Sequence, residues 1–404
     1  MTDIIGDNFS REVAFLKELV RVPSDNPPGD CARHAEKTAA LLLGLGFKVE
    51  RHPVPQALVK KHGMQSVTNL VVRERFGSGK GSVIALNAHG DAVPPGQGWR
   101  HDPYGADEKG GAIYGRGAAV SKSDFATYAF ALLALKVAPA GLDGTVELHF
   151  TYDEEAGGFV GPKWLLEENI IKPDYAISAG FSYAVITAHN GVLHLEVTVK
   201  GRQAHAAMPE SGADALQAAT AVLNALYAER RKLAKKKSKS PGIGAAKLTV
   251  GLISGGINTN VVPDRIVMRL DRRLIPEENG GKVEKNLIAL IKRAGKGKGI
   301  SIECRRILLA EPLAPLPGIG RLVEPLVRHA RKELKTHIAV KGVPLYTDAR
   351  HYSAKGIPTV LYGAGPRSIL DANAHGADEH IKLSDLKAAT RVIAATLRDL
   401  LRSK

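Results

Sequence analysis

The order of strand-like and helical patterns constrains this chain more than any other feature. Short apolar strands alternate with longer helical patterns up to about residue 187, and the same alternation returns after Pro312. Because parallel strands need crossover connections, this alternation predicts a mainly parallel sheet covered by helices. Strands are expected at 69–72, 83–88, 146–151 and 359–361, and helices at 11–20, 32–45, 125–135, 320–334 and 383–402.

The order of predicted strands and helices is different in the middle of the chain, between residues 188 and 311. The patterns there predict a strand (193–199), a helix (214–230), two strands (247–253 and 264–274), a helix from Val283 and a strand (300–305). This β-α-β-β-α-β order is typical of a ferredoxin-like α+β unit. The sequence therefore predicts an α/β domain formed by 1–187 and 312–404, with a small domain inserted at 188–311.

Charge and cysteine content exclude several classes of protein. The net charge is +15, but much of the excess lies between Arg230 and Lys239, where no aromatic residues are present to stack on bases. We therefore expect no nucleic-acid partner, although attraction of an acidic substrate remains open. The two cysteines are far apart, and neither a signal peptide nor a membrane span is visible. A soluble cytoplasmic protein is expected.

A metal site is suggested where the predicted strand at 83–88 runs into His89-Gly90-Asp91. Open α/β sheets bind ligands at the carboxyl ends of their parallel strands. A carboxylate there can hold one nitrogen of an imidazole and leave the other free for a metal. Taken alone this triplet is weak, because a surface loop has the same composition.

Acidic residues follow the next predicted strand, at Asp153-Glu154-Glu155. Adjacent carboxylates repel one another, and a solvated acidic turn is the ordinary interpretation. A nearby cation reverses that balance, since one carboxylate can bind the ion while its neighbour removes a proton from water. His375, in a glycine-containing loop near the end of the chain, is a further candidate ligand.

Together these motifs resemble the metallopeptidase family that includes aminoacylase, acetylornithine deacetylase, succinyl-diaminopimelate desuccinylase and carboxypeptidase G. The resemblance covers nearly the whole chain and keeps the order of the motifs. The motifs are His89-Gly-Asp-Ala-Val-Pro, Tyr114-Gly-Arg-Gly-Ala-Ala, Asp153-Glu-Glu-Ala-Gly-Gly, Gly201-Arg-Gln-Ala-His-Ala-Ala-Met-Pro, Gly255-Gly-Ile-Asn-Thr-Asn-Val-Val-Pro-Asp, Thr347-Asp-Ala-Arg and His375-Gly-Ala-Asp-Glu.

The resemblance implies a role for each candidate residue and makes the inserted domain a lid and dimerisation domain. The implied metal ligands are His89, Glu155 and His375, with Asp91 orienting His89. Glu154 would be the general base, and His205 of the lid would stabilise the oxyanion in a partner subunit. Contacts with substrate carboxylate or oxyanion groups would come from Asn260, Arg273 and Arg350, for which ordinary structural roles are equally open.

Two positions depart from the family pattern. The family's bridging aspartate is replaced by Val120, and Gly180 stands where a terminal carboxylate ligand is expected. We expect one divalent ion per subunit, such as zinc, manganese or cobalt, held by the remaining two histidines and one glutamate. Asp124 lies four residues after Val120, and we interpret it as a helix-dipole partner in a first helical turn.

The expected function is that of a homodimeric or larger metal-dependent hydrolase. It would cleave an amide or related C–N bond in a small carboxylate-bearing substrate. Two alternatives remain open on the sequence: hydrolytic deamination of an aromatic amino acid by the same site, or a catalytically inactive homologue that binds a metabolite or partner.

Overall fold

A computed structural model describes residues 3–402 of the chain, which form two compact units. The first contains the described residues up to Thr187, Pro315–Lys341 and the described residues from Thr347 onward. The second contains Ala188–Ala314 and Gly342–Tyr346. The return of that last short segment to the second unit is not evident from any sequence pattern.

Strands and helices alternate along most of the chain. The strands are β1 (Val49–Pro53), β2 (Thr68–Phe76), β3 (Val83–His89), β4 (Asp107–Lys109), β5 (Ala112–Tyr114), β6 (Gly144–Thr151), β7 (Tyr175–Ser178), β8 (Ala184–His189), β9 (Gly191–Lys200), β10 (Lys247–Gly255), β11 (Arg265–Leu274), β12 (Ser301–Ala310), β13 (Ala339–Val343), β14 (Thr359–Leu361) and β15 (His380–Lys382). The helices are α1 (Ile4–Val20), α2 (Ala32–Gly44), α3 (Gln56–Lys61), α4 (Lys122–Val137), α5 (Pro162–Glu167), α6 (Ala215–Leu233), α7 (Gly280–Ala294), α8 (Gly320–Leu334), α9 (Ala349–Ala354) and α10 (Leu383–Leu400).

The large sheet has eight strands in the order β1-β2-β6-β3-β7-β14-β8-β13. Its central strands β6, β3, β7 and β14 are parallel, while β2 and β8 pair antiparallel at either side of them. The predicted mainly parallel α/β fold is therefore confirmed. Helices α1, α4 and α10 pack together beside this sheet, and every residue of α4 from Lys122 to Leu135 is buried. A helix that is apolar nearly all round is buried in this way.

The four parallel strands present their carboxyl ends at one edge of the sheet. Strand β3 ends at His89 and β6 at Thr151, two residues before Asp153. Strand β7 ends just before Gly180, and β14 leads into the segment that carries His375. Residues far apart in sequence thus meet at the edge where such sheets bind their ligands.

The second unit is built on a four-stranded antiparallel sheet in the order β10-β11-β9-β12. Helices α6 and α7 pack against each other and against this sheet. Side chains of β9 and β11 alternate between buried and more exposed positions, as expected for a sheet covered on one face. Within residues 3–402, no helix is both long enough and apolar enough to cross a membrane.

Candidate active site

His89 is fixed at the end of β3 by contacts on both its backbone and its ring. The Ser121 hydroxyl accepts from the His89 backbone N–H at 3.1 Å and donates to its carbonyl at 3.0 Å. On the ring, Nδ1 lies 2.9 Å from the Asp91 carbonyl oxygen and 3.3 Å from Asp91 Oδ1. Nε2 lies on the other side of the ring, 4.0 Å from Glu154 Oε2. The nitrogen that faces the glutamates is therefore Nε2.

Asp91 also forms hydrogen bonds with groups other than His89. Its buried carboxylate accepts from the backbone N–H groups of Glu154 at 3.2 Å and Glu155 at 3.1 Å, and from the side-chain amide of Asn26 at 2.9 Å. It thereby fixes the short 3-10 turn Glu154–Ala156 beside His89. The sequence pattern suggested the contact with His89 but gave no sign of the bonds to the turn or to Asn26.

The two glutamates and the two histidines form one continuous group. One ligand atom from each of His89, Glu154 and Glu155 lies within 4.8 Å of the others, and His375 Nε2 is 3.1 Å from Glu155 Oε1. Four side chains that the sequence singled out for metal binding and base catalysis are thus brought together. Two imidazoles with adjacent carboxylates are a donor set that fits a zinc-like ion.

Burial and mutual charge set the protonation of this group. Burial raises the pKa of Glu154 to about 8, although the neighbouring His89 opposes that change. For His89, burial by itself lowers the pKa, but the carboxylates of Asp91, Glu154 and Glu155 outweigh it and hold the pKa well above its ordinary value. A shared proton or a cation is needed to stabilise carboxylates this close together.

The segment that carries His375 is anchored by the two acids that follow it. Asp378 accepts from the backbone of Arg100 at 2.9 Å and from its side chain at 2.7 Å. Glu379 is fully buried, pairs with Arg116 at 2.5 Å, and accepts from the backbone N–H groups of Ala119 and Val120. Glu379 stands in the quoted His375 motif, but the sequence gave no basis for this role.

Neither departure from the family pattern supplies a side-chain ligand. Val120 has an aliphatic side chain, and its backbone N–H is bound by Glu379 at 3.1 Å. At Gly180 there is no room for a side chain, because an added Cβ would lie 2.7 Å from Leu361 Cβ and 2.9 Å from the Leu361 carbonyl carbon. Leu361 is a buried residue of strand β14, so these atoms cannot move aside easily.

Arg350 is buried near the glutamate turn. Its guanidinium donates to the carbonyl of Thr347 at 2.9 Å and to the carbonyl of Gly157. It therefore braces the chain just beyond Glu155. Contact of Arg350 with a substrate stays a prediction.

The other predicted substrate and oxyanion residues lie in the second unit. His205 is exposed, and its Nδ1 accepts from the Ala207 backbone N–H at 3.0 Å. The next residue, Ala206, donates to the Asn260 carbonyl at 3.0 Å, so His205 and Asn260 belong to adjoining segments. Arg273 is partly exposed on β11 and donates to Asp271 at 3.0 Å. Their parts in catalysis stay predictions.

Comparison with known proteins supplies the context for this site. The model of "Peptidase family M20/M25/M40" matches residues 85–399. The chain belongs to that family. Members are metal-dependent hydrolases, and this family member is accordingly a hydrolase of amide bonds.

Curated relatives match about three quarters or more of this family member. It is 27% identical over 336 residues to succinyl-diaminopimelate desuccinylase of Nautilia profundicola, covering 80% of this chain and 86% of the relative. It is 27% identical over 328 residues to aminoacylase-1 of Sus scrofa, covering 74% and 75%. Its fold is similar to that of aminopeptidase PepT from Bacillus cereus, with a TM-score of 0.74, 22% identity and coverage of 97% and 99%.

A second solved structure shares the fold. A dinuclear metal-binding M20 peptidase, the YXEP protein of Bacillus subtilis, matches with a TM-score of 0.72 and 17% identity, covering 99% of this chain and 100% of the other. The alignment of the two folds extends over nearly all of both chains. The departures at Val120 and Gly180 lie within this shared fold.

The Arg116–Glu379 pair gives a testable prediction for the site. Replacement of Glu379 by Gln keeps an acceptor for Ala119 and Val120 but leaves the buried Arg116 without its counter-charge. Breaking a buried ion pair in this way should lower the free energy of unfolding by about 3 kcal/mol or more. Chemical denaturation would measure it. Glu108→Gln, which removes the exposed pair with Lys17, is the control and should cost less than about 1 kcal/mol. Equal effects of the two substitutions would contradict the assigned role of Glu379.

Proposed function

We propose that this M20/M25/M40 family member uses a single divalent ion to hydrolyse an amide or related C–N bond in a small carboxylate-bearing substrate. Zinc, manganese and cobalt are the candidate ions. One observation carries the proposal: the ligand atoms of His89, Glu154 and Glu155 gather within 4.8 Å, with His375 in contact with Glu155.

The ligands in this proposal are Nε2 of His89, the carboxylate of Glu155 and Nε2 of His375. Asp91 occupies the Nδ1 side of His89, which leaves Nε2 available on the side of the glutamates. Two histidines and one carboxylate are a common ligand set of single-ion catalytic zinc sites. When bound there, the ion would act as a Lewis acid toward water and the scissile carbonyl.

Glu154 is the general base in this proposal. Its backbone is fixed by Asp91, which sets the direction in which the carboxylate points. Burial raises the pKa of Glu154, and a carboxylate with a raised pKa is a stronger base toward water. The Glu154 carboxylate would take a proton from the attacking water and deliver it to the leaving nitrogen. Glu155, one residue further, is left to bind the ion.

The missing acids limit the site to one ion. With His89, Glu155 and His375 binding the first ion, Val120 and Gly180 would offer a second divalent cation no side-chain ligand. Repulsion between two divalent cations a few ångströms apart would then be offset by no bridging carboxylate.

We therefore expect at most one tightly bound ion per subunit. Elemental analysis of protein purified without chelator, together with calorimetric titration of zinc into metal-free protein, would measure the stoichiometry. Two tightly held ions in the unmodified protein would contradict the single-ion proposal.

A substitution at the proposed base tests catalysis separately from metal binding. Glu154→Gln keeps the size of the side chain but cannot accept a proton, so turnover should fall by at least about two orders of magnitude while the ion is still bound. A steady-state assay on the best substrate from a screen of N-acyl amino acids and dipeptides would measure it. Glu168→Gln, on the exposed end of α5, is the control and should keep full activity. An unchanged turnover number in the Glu154 variant would remove this residue from the mechanism.

An exposed edge of the sheet in the second unit supports a proposed role in dimerisation. Strand β10 is an edge strand of its sheet, and Leu252, Ile253 and Ile257 on and beside it are 60%, 51% and 69% exposed. An exposed apolar edge strand is normally covered by another chain or element. We propose that a second copy covers this face and that His205, which is exposed, acts in the active site of that partner.

Complementation between inactive subunits tests this arrangement. A mixture of His205→Ala and Glu154→Ala subunits should regain partial activity, because a mixed dimer would contain one complete site. The control mixture of His89→Ala and Glu154→Ala should stay inactive, because each active site of the mixed dimer would still lack either His89 or Glu154. A protein that is monomeric in solution would contradict the proposal, as would a lack of rescue after demonstrated subunit exchange.

A further inference from the structure

The loop that carries His375 has few connections to the rest of the first unit. Within the described residues, 3–402, every backbone-to-backbone hydrogen bond made by 366–377 stays inside that stretch. His375 itself has a φ of 63°, in the left-handed region that non-glycine residues adopt only where their surroundings impose it. A contact from outside the loop is therefore needed to fix the backbone beside His375.

Arg116 makes such a contact through one end of its guanidinium. The residue is buried, and its Nη2 donates to the carbonyl of Gly376, directly after His375, at 3.0 Å. The same nitrogen donates to the carbonyl of Pro95 at 3.1 Å. Pro95 lies in the loop that follows β3 and His89. One nitrogen of Arg116 thus connects the loops of the two histidines in the proposed ligand set.

The guanidinium of Arg116 is itself fixed by other partners. Its Nη1 pairs with the buried Glu379 at 2.5 Å, and its Cζ lies 5.1 Å from the centre of the Trp99 ring. The Trp99 indole N–H donates at 2.8 Å to the Pro95 carbonyl, which is the oxygen that Arg116 also binds. A guanidinium can make these contacts together because its donors lie in one plane and have fixed directions.

No direct backbone contact duplicates this connection between the two loops. In the part of the chain that the structure describes, no backbone-to-backbone hydrogen bond joins 90–99 to 373–378. Asp378 does bind Arg100, but this contact lies three residues beyond His375. Arg116 instead binds the carbonyl of the residue next to His375, so it restrains the backbone closest to the imidazole.

We infer that Arg116 is a positioning residue of the proposed metal site, which fixes His375 relative to His89 by binding one backbone carbonyl in each of their loops. Its hydrogen bonds go to Pro95, Gly376 and Glu379, so it acts through the loops and is not an ion ligand. The inference rests on the proposed function for its effect on ion binding. The restraint of the loop can be tested without any ion.

The first test is amide hydrogen exchange in metal-free Arg116→Lys. A lysine keeps the positive charge beside Glu379 but lacks the planar fork that reaches both carbonyls. Loss of the bond to the Gly376 carbonyl should accelerate exchange of the Gly376 N–H, which donates to Asn373 at 2.7 Å, by about tenfold. Exchange of the Ala119 N–H, whose acceptor is Glu379, should stay within about twofold.

The second test is calorimetric titration of zinc into the same metal-free variant. The zinc dissociation constant should rise by about 10-fold to 100-fold, as for other residues that orient metal ligands. A double variant, Arg116→Met with Glu379→Gln, removes both charges of the buried pair and leaves neither one uncompensated. It also lacks donors for both carbonyls, so it should weaken zinc binding in the same direction. This double variant decides the question if Arg116→Lys does not fold.

The matched control is Arg272→Lys in the second unit. Arg272 is 3% exposed, pairs with the buried Glu278 at 2.7 Å and donates to the carbonyl of Arg273. The control therefore alters the same kind of buried guanidinium, but these partners belong to neither ligand loop. It should leave the zinc dissociation constant within about twofold of the unmodified value.

Unchanged exchange at Gly376 in folded Arg116→Lys would overturn the inference. Zinc affinity equal to that of the unmodified protein would overturn it too, as would an equal loss of affinity in Arg272→Lys. If the unmodified protein binds no zinc, manganese or cobalt, the proposed function fails. The exchange at Gly376 still decides in that case whether Arg116 restrains the loop of His375.

Discussion

Repulsion among buried carboxylates is the physical constraint on which the site depends. Five nearly or fully buried acids lie at or near the ends of the parallel strands: Asp91, Asp124, Asp153, Asp348 and Glu379. Glu154 and Glu155 lie among them. An ionised carboxylate removed from water is costly unless hydrogen bonds or a counter-charge replace its hydration. The fold must therefore provide a partner for each acid, or the acid must hold a proton. An acid whose carboxylate already has partners is not available for metal binding or proton transfer, so these partners largely determine which acids can act in catalysis.

Backbone N–H groups satisfy most of these acids. Asp91 accepts from the backbone N–H groups of Glu154 and Glu155, and Asp124 accepts from that of Ala364. Asp153 accepts from Val160 at 2.6 Å, and Glu379 from Ala119 and Val120. Glu154 and Glu155 differ in that their carboxylates face the histidines. They are the pair for which a cation or a transferable proton is the natural partner, and this division supports their roles as base and ligand.

The sequence was sufficient for the fold and for the residues at the strand ends, because both depend on local patterns. The alternation of strands and helices predicted the mainly parallel sheet, and motifs that directly follow strands indicated His89, Glu154 and Glu155. The sequence could not predict contacts between segments that are far apart along the chain. Nothing near Arg350 in the sequence shows that its guanidinium binds the carbonyl of Gly157. Likewise, the lack of space at Gly180 depends on Leu361, in a strand that pairs with β7 only after folding.

The departures at Val120 and Gly180 are tied to the packing around them, which bears on whether the site is a damaged two-ion centre or a distinct one. A side chain at Gly180 would collide with Leu361, and a residue larger than glycine at 363 would collide with Asp124. Restoring an acid at 180 would therefore require the end of β14 to shift as well. Simple loss of ligands would leave the space of the missing side chains open. At Gly180 that space is closed by Leu361 of β14 and the residue after it. Gly180 is therefore not an open ligand position that has merely lost its side chain.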